Sequence, residues 1–248
     1  MWTPSQAVKL MELWNNCKLD SFYRQKLMKP MINLEQTRFN MVEQQIRTWD
    51  VLDQKVLDLL YKTKREEYVP AAYRSMAFMD MEIPLEHGAV MLTPKMEARI
   101  IQELHIKKSD NILVIGAGTG YMTALLAQLG SHVYSVEIEP ALLAAAKINL
   151  QVHDIQNVTL EQGDGANGWS RHAPYDVIIL TASTPVLPET FKKDLSPGGR
   201  LFAIVGEEPV MGATLITCTT PNQFHSKLLF ETCTAPLKNA IQAEQFHF

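Results

Sequence analysis

The chain has 248 residues, 46% of them hydrophobic and 20% charged, with a formal net charge of −4. That composition excludes a disordered chain and allows one sizeable core in one or two domains. Charges of both signs are mixed along the sequence, which argues against general affinity for nucleic acid or an anionic membrane. Cys17, Cys218 and Cys233 are far apart and form no C-x-x-C pair. Reduced, mostly buried thiols are therefore expected, with no disulfide framework and no metal site. No apolar run approaches the ~18 residues of a bilayer span. Lys9, Glu12 and Asn15-Asn16 interrupt the N-terminus where a secretory signal would be apolar, so a cytoplasmic protein is expected.

Residues 1–30 carry one short amphipathic pattern, with Val8, Leu10, Met11, Leu13 and Trp14 as its apolar positions. The segment reads as an N-terminal extension: a peripheral or disordered one, or a partner-binding helix. Pro30 closes it, and Met31 is an alternative initiator. Residues 31–105 read as a mainly helical region packing on the core. Val42, Gln45-Ile46 and Trp49 share a helical face, and Asp50 or Asp53 can cap a helix over Gln54–Lys62. Val69-Pro70 marks an extended break. Met79–Leu92 lacks a clean period and reads as loop with short strand. Thr93 as N-cap and Pro94 at the first helical position then open a helix through Leu104.

From residue 106 to 248, strands and helices alternate. The strands are Asn111–Ile115, His132–Glu137, Val158–Gln162, Val177–Thr181 and Arg200–Val205. The helices are Tyr121–Leu129, Pro140–His153 and Pro188–Leu195, the last stopped by Pro197-Gly198-Gly199. Such alternation predicts an α/β fold, a doubly wound and mostly parallel sheet covered on both faces. Ala213–Thr219 and Ser226–Thr232, separated by Pro221-Asn222, add an antiparallel C-terminal hairpin and bring the sheet to seven strands. The tail from Pro236 should lie on the surface or tuck under a neighbouring element.

The turn Gly116-Ala117-Gly118-Thr119-Gly120 joins the first of these strands to a helix. Its glycines let the backbone approach a ligand, and the helix offers free N–H groups. The dinucleotide fingerprint would need glycine at 121, where Tyr121 stands, and no Gly-Lys-Ser/Thr of a P-loop follows. Glu137 ends the second strand, where a carboxylate can accept from both ribose hydroxyls. Gly163-Asp164-Gly165 follows the third, where Asp164 can accept from an adenine amino group and its glycines keep the approach open. Together these point to an adenosyl ligand across neighbouring strand tips.

On these residues, and on others, the chain resembles the protein-L-isoaspartate O-methyltransferases, from Met41-Val42-Glu43-Gln44-Gln45-Ile46-Arg47 to about Pro236. Matching stretches include Arg65-Glu66-Glu67-Tyr68-Val69-Pro70, Ile83-Pro84-Leu85-Glu86-His87-Gly88 and Ile115-Gly116-Ala117-Gly118-Thr119-Gly120-Tyr121. Tyr134-Ser135-Val136-Glu137, Gln162-Gly163-Asp164-Gly165, Tyr175 to Ala182 and Pro197-Gly198-Gly199-Arg200-Leu201 complete the set. The resemblance implies a methyltransferase sheet and S-adenosylmethionine as cofactor. It also implies methyl transfer to the carboxylate of an isomerised aspartate in damaged proteins. The cofactor set is Ile115, Gly116, Ala117, Gly118, Gly120, Glu137, Ile138, Asp164, Gly165 and Thr181. Thr93, His87 and Leu92 border the acceptor.

Two departures stand out. The family reads T-I-S-Q-P where this chain has Val90-Met91-Leu92-Thr93-Pro94, so leucine occupies the serine position. The family usually has an acidic residue two before the first glycine, where this chain has Val114. An ionised carboxylate acceptor needs no general base, so the serine contributes positioning worth about 0.5–1.5 kcal/mol. Two alternatives stay open. One is a smaller, more apolar acceptor bordered by Met79, Met81 and Met96, with His87 as base. The other is a cofactor-binding module without catalysis. An isoaspartyl protein or peptide is the expected partner, with no nucleic acid or membrane, and the chain is expected to be a monomer or weak dimer.

Overall fold

A computed structural model describes residues 33–242. The amphipathic helix expected before Pro30, Cys17 and the end of the tail at Gln245–Phe248 lie outside the described residues. Packing divides the chain into two compact units, residues 1–37 and 38–248. In the first, Asn33 Oδ1 accepts from the Gln36 N–H at 3.1 Å and opens helix α1 (Leu34–Asn40). Everything below concerns the second.

After α1 the chain continues as a π-turn, Met41–Ile46, and a 3-10 turn, Arg47–Trp49. Met41, Val42 and Ile46 are buried, but Trp49 is not on their face. The wider i→i+5 spacing rotates it outward, where the Lys95 ammonium sits 4.0 Å from its ring centroid. Helix α2 (Gln54–Lys62) is capped by Asp53, whose carboxylate accepts from the Lys55 N–H at 2.9 Å. Asp50 instead takes a left-handed conformation that ends the preceding turn. Two short strands, β1 (Ile83–Pro84) and β2 (Val90–Met91), pair antiparallel around the loop that carries His87. Helix α3 (Pro94–Leu104) follows, with the Thr93 hydroxyl accepting from the Met96 N–H at 3.3 Å.

The seven-stranded sheet comprises β3 (Asn111–Ile115), β4 (His132–Glu137), β5 (Val158–Gln162), β6 (Tyr175–Thr184), β7 (Leu195–Glu207), β8 (Val210–Thr220) and β9 (Gln223–Thr232). Its order is β5-β4-β3-β6-β7-β8-β9. Pairings from β5 to β7 are parallel; β8 and β9 add antiparallel. Helices α4 (Tyr121–Leu129) and α5 (Pro140–Val152) cross from β3 outward to β5, and the chain then returns to the other side of β3 as β6. That reversal opens a crevice at the carboxyl ends of β3 and β6, the usual ligand position in such sheets.

The apolar strands serve two cores by alternation. Ile112, Val114, Val177 and Ile179 join Leu57, Ile100 and Leu125 on one face. Leu113, Ile115, Ile178 and Leu180 join Phe191 on the other. Each such fully buried side chain contributes about 1.5–3 kcal/mol. Helix α6 is shorter than its sequence suggests, Glu189–Lys193, and Leu195 already pairs with Tyr175. The Tyr175 N–H donates to the Asp194 carbonyl at 2.8 Å, so β6 captures the chain before Pro197 is reached. Of the described cysteines Cys218 is buried but Cys233 is exposed, its thiol donating to Glu208.

Candidate active site

Beyond Ile115 the backbone turns sharply. The N–H groups of Gly116 and Ala117 both donate to the Val136 carbonyl, at 2.9 and 3.2 Å, which ties the loop to the tip of β4. Gly116 adopts φ +92°, and a Cβ there would collide with Thr181 Oγ1. That hydroxyl donates to the Gly116 carbonyl at 2.8 Å. Glycine at 116 thus serves the junction of β3 with β6. Gly118 is the glycine turned toward open space: at φ +53°, its nearest neighbour for a Cβ would be Leu85 at 3.5 Å. The glycines flanking Asp164 do not keep an approach open as their composition suggested. Cβ atoms there would run into the Trp169 ring at 163 and Ile115 at 165.

An open cleft with a volume of about 120 Å³ lies over these tips. Ile115, Gly116, Ala117, Gly118, Glu137, Ile138, Asp164, Gly165 and Thr181 all line it, together with His87 and Leu92. Gly120 does not: at φ +86° it packs on the backbone of Ala146 in α5. Glu137 is 5% exposed. Its Oε2 accepts from the Gly118 N–H at 2.8 Å and its Oε1 from the Glu139 N–H at 3.1 Å. Among the described residues it has no cationic partner. A buried carboxylate held by two neutral donors, with lone pairs to spare, fits a ligand bringing further neutral donors, such as a sugar diol. Asp164 accepts from the Ala166 N–H at 3.0 Å and from Asn239 Nδ2 at 2.8 Å.

The opposite wall comes from residues 85–97. His87 adopts φ +60°, and its half-exposed side chain sits at the rim with Nε2 3.6 Å from Glu139 Oε2. Leu92 is 4% exposed and faces the cleft, so no hydroxyl stands at the serine position. Thr93 does not face the cleft, because its hydroxyl is committed to capping α3. Met79 and Met81 are exposed and Met96 is in the core; the methionines facing the cleft are Met91 and Met122. Val114 is wholly buried, in the core that holds Leu57, Ile100 and Leu125.

Sequence reading missed a buried polar group behind this wall. Glu97 lines the cleft at 2% exposure and is ion-paired to Arg65. Arg65 also donates through Nη2 to the Leu92 carbonyl at 2.7 Å and through Nε to the Ala77 carbonyl at 2.9 Å. One guanidinium therefore pins three segments. Burial pushes the Glu97 carboxyl up to about 7, outweighing the opposite pull of Arg65. The Tyr121 hydroxyl beside it is buried without a hydrogen-bond partner, and burial drives its pKa far up, so it stays protonated. A carboxylate amid the apolar set Met96, Ala98, Ile100 and Ile101 was the available signal.

The tail closes the cleft. The Ser183 N–H donates to the Ala235 carbonyl at 3.0 Å, and the Leu237 N–H to the Ser183 carbonyl at 2.8 Å, bridging the tail in parallel to the end of β6. Ala235, Pro236, Leu237 and Lys238 line the cleft, and Lys238 is ion-paired to Glu139.

Comparisons with known proteins agree with this geometry. The family model for protein-L-isoaspartate(D-aspartate) O-methyltransferase matches residues 36–237. A protein-L-isoaspartate O-methyltransferase of Protochlamydia amoebophila is 40% identical over 166 residues, 67% of this chain and 79% of that protein. One of Methylorubrum populi is 33% identical over 208 residues, 83% of this chain and 97% of that protein. A solved protein-L-isoaspartate O-methyltransferase is 26% identical and superposes with a TM-score of 0.70, over 80% of this chain and 65% of that one. With the glycine turn, the two strand-tip carboxylates and this match across most of its length, the chain belongs to the protein-L-isoaspartate(D-aspartate) O-methyltransferase family.

Proposed function

We propose that this enzyme moves a methyl group from S-adenosylmethionine to the free carboxylate of an isoaspartyl residue in an aged protein. The observation that carries the reading is the pair of carboxylates, Glu137 and Asp164, set beside the Gly116–Gly118 turn at the reversal of strand order. Glu137 would accept from the ribose hydroxyls and Asp164 from the adenine amino group. Ile115, Ile138 and Gly165 would pack on the nucleoside, and the turn at Gly116-Ala117-Gly118 would meet the methionyl end. Bound there, S-adenosylmethionine supplies an activated methyl group on a sulfonium.

The acceptor is ionised at neutral pH, with a reference pKa near ~4, so no residue need take a proton. The chain's part is to orient that carboxylate and exclude water. Leu85, Met91 and Leu92 supply an apolar wall for this, and the tail at Pro236-Leu237 closes the other side. His87 at the rim borders the approach of the peptide. A cytoplasmic enzyme, monomeric or weakly dimeric and without a nucleic-acid partner, fits a net charge of −4. No helix among the described residues is long and apolar enough to cross a membrane.

The test is methyl-ester formation from labelled cofactor on an isoaspartyl peptide and on its normal aspartyl twin. Base-labile label on the first alone is the expected result. Label on neither, with purified protein that binds S-adenosylhomocysteine, would remove this acceptor.

A further inference from the structure

Asn239 lies two residues past the span that the family model matches, yet it touches the cofactor cleft through Asp164. The two oxygens of Asp164 are held separately. The Ala166 N–H donates to Oδ1 at 3.0 Å, and the Asn239 amide donates to Oδ2 at 2.8 Å. The first bond is local and leaves the carboxylate free to swing. The second comes from the tail and fixes its plane. Asn239 is itself placed by strong local constraints: the tail is bridged to Ser183, Lys238 is paired with Glu139, and the Ala240 N–H donates to the Leu237 carbonyl at 3.2 Å. Its own backbone is left-handed, φ +60°, a conformation asparagine tolerates better than most residues.

We propose that Asn239 is a positioning residue, holding the Asp164 carboxylate so that the cofactor site selects a purine with an amino group at C6. This rests on the functional reading above, in which Asp164 faces the base. A carboxylate held in one plane keeps its remaining lone pairs aimed in fixed directions. A 6-amino group donates into them, whereas a 6-oxo group presents a second acceptor and is repelled. A carboxylate free to rotate turns away from the oxo group and into solvent, so the discrimination weakens. Asp164 is exposed in the open cleft, which makes an outside restraint necessary.

Calorimetry with S-adenosylhomocysteine and its hypoxanthine counterpart, S-inosylhomocysteine, tests this on the full chain. Asn239→Gly removes the amide while keeping the left-handed backbone. It should weaken the adenine compound about three- to tenfold and leave the hypoxanthine compound nearly unchanged, so the selectivity ratio falls. Gln242→Ala perturbs the same tail at its bond to the Ala240 carbonyl, away from the cleft lining and from Asp164, and should keep the wild-type ratio. Equal weakening of both compounds by Asn239→Gly, or a ratio lost equally in Gln242→Ala, would show a general tail effect and overturn the assignment. Wild-type binding with an unchanged ratio in Asn239→Gly overturns it alone. Wild-type protein that binds neither compound overturns the functional reading with it.

Discussion

Along the strand-tip wall of the cleft, the polar groups are main-chain N–H donors and two carboxylates held by such donors, Glu137 and Asp164. Along the wall from Leu85 to Glu97, side chains dominate: apolar Leu85, Met91 and Leu92 stand in front of a buried Arg65–Glu97 pair. The first wall depends on backbone geometry set by the sheet, and its glycine turn and strand-tip carboxylates match the family, with Val114 its one departure. The second depends on particular side chains, and there leucine replaces the family serine at 92. A site can therefore keep one wall's ligand while tuning the other's.

The largest expected effect is at the pair behind the second wall. Glu97→Ala leaves the Arg65 charge buried and unpaired, which costs about 3–5 kcal/mol. Tm should fall by roughly 10 °C on a thermal melt, since each kcal/mol is worth about 2–4 °C at this size. Retained binding of S-adenosylhomocysteine below the lowered Tm would show the walls to be energetically separate; its loss would merge them. The same residue sets a pH dependence. Its folded pKa, raised to about 7 chiefly by burial, exceeds the ordinary glutamate value of 4.5, so the native state holds the proton more tightly. That contribution is complete below the unfolded value and is lost as pH rises through about 7. Denaturant midpoints across this window should decline in wild type and flatten in Glu97→Gln; an unchanged slope would assign the dependence elsewhere.

Glu137→Ala attacks the first wall. Charge-assisted hydrogen bonds of about 1.5–3 kcal/mol are lost, so calorimetry should find S-adenosylhomocysteine affinity down roughly 10- to 100-fold. A change under twofold would remove Glu137 from the ribose. The smallest effect is the most specific. Leu92→Ser restores the hydroxyl of the family motif and should raise kcat/KM on an isoaspartyl peptide by up to about tenfold. A fall instead would mean that Leu92 suits an acceptor of different shape.

The parallel core was legible because its central strands are apolar and buried throughout 112–115 and 177–180, and because α2, α3 and α5 start at a capping residue or a proline. Asn111–Ile115 and Tyr121–Leu129 match their expected bounds, and Thr93 and Asp53 cap as expected. Misreadings fell where distant partners intervene. Trp49 left its expected face through a π-turn, and Leu195 joined β7 through the pull of Tyr175. Local pattern carries neither signal. Thr93 was placed at the acceptor by its position in a motif, but its hydroxyl already serves the helix. The tail was the least legible part, since residues 235–239 show no period and find their place only on Ser183, Glu139 and Asp164.

By itself the sequence determined the order of strands and helices, the glycine turn and the carboxylates at its neighbouring strand tips. These follow from periodicity and backbone sterics, which act over a few residues. Tertiary structure alone decided that Glu97 faces the cleft, that Arg65 joins three segments behind it, and that Asn239 reaches Asp164. Those contacts span 12 to 75 residues of chain. Only the packed fold restrains the loops that bring such distant groups together.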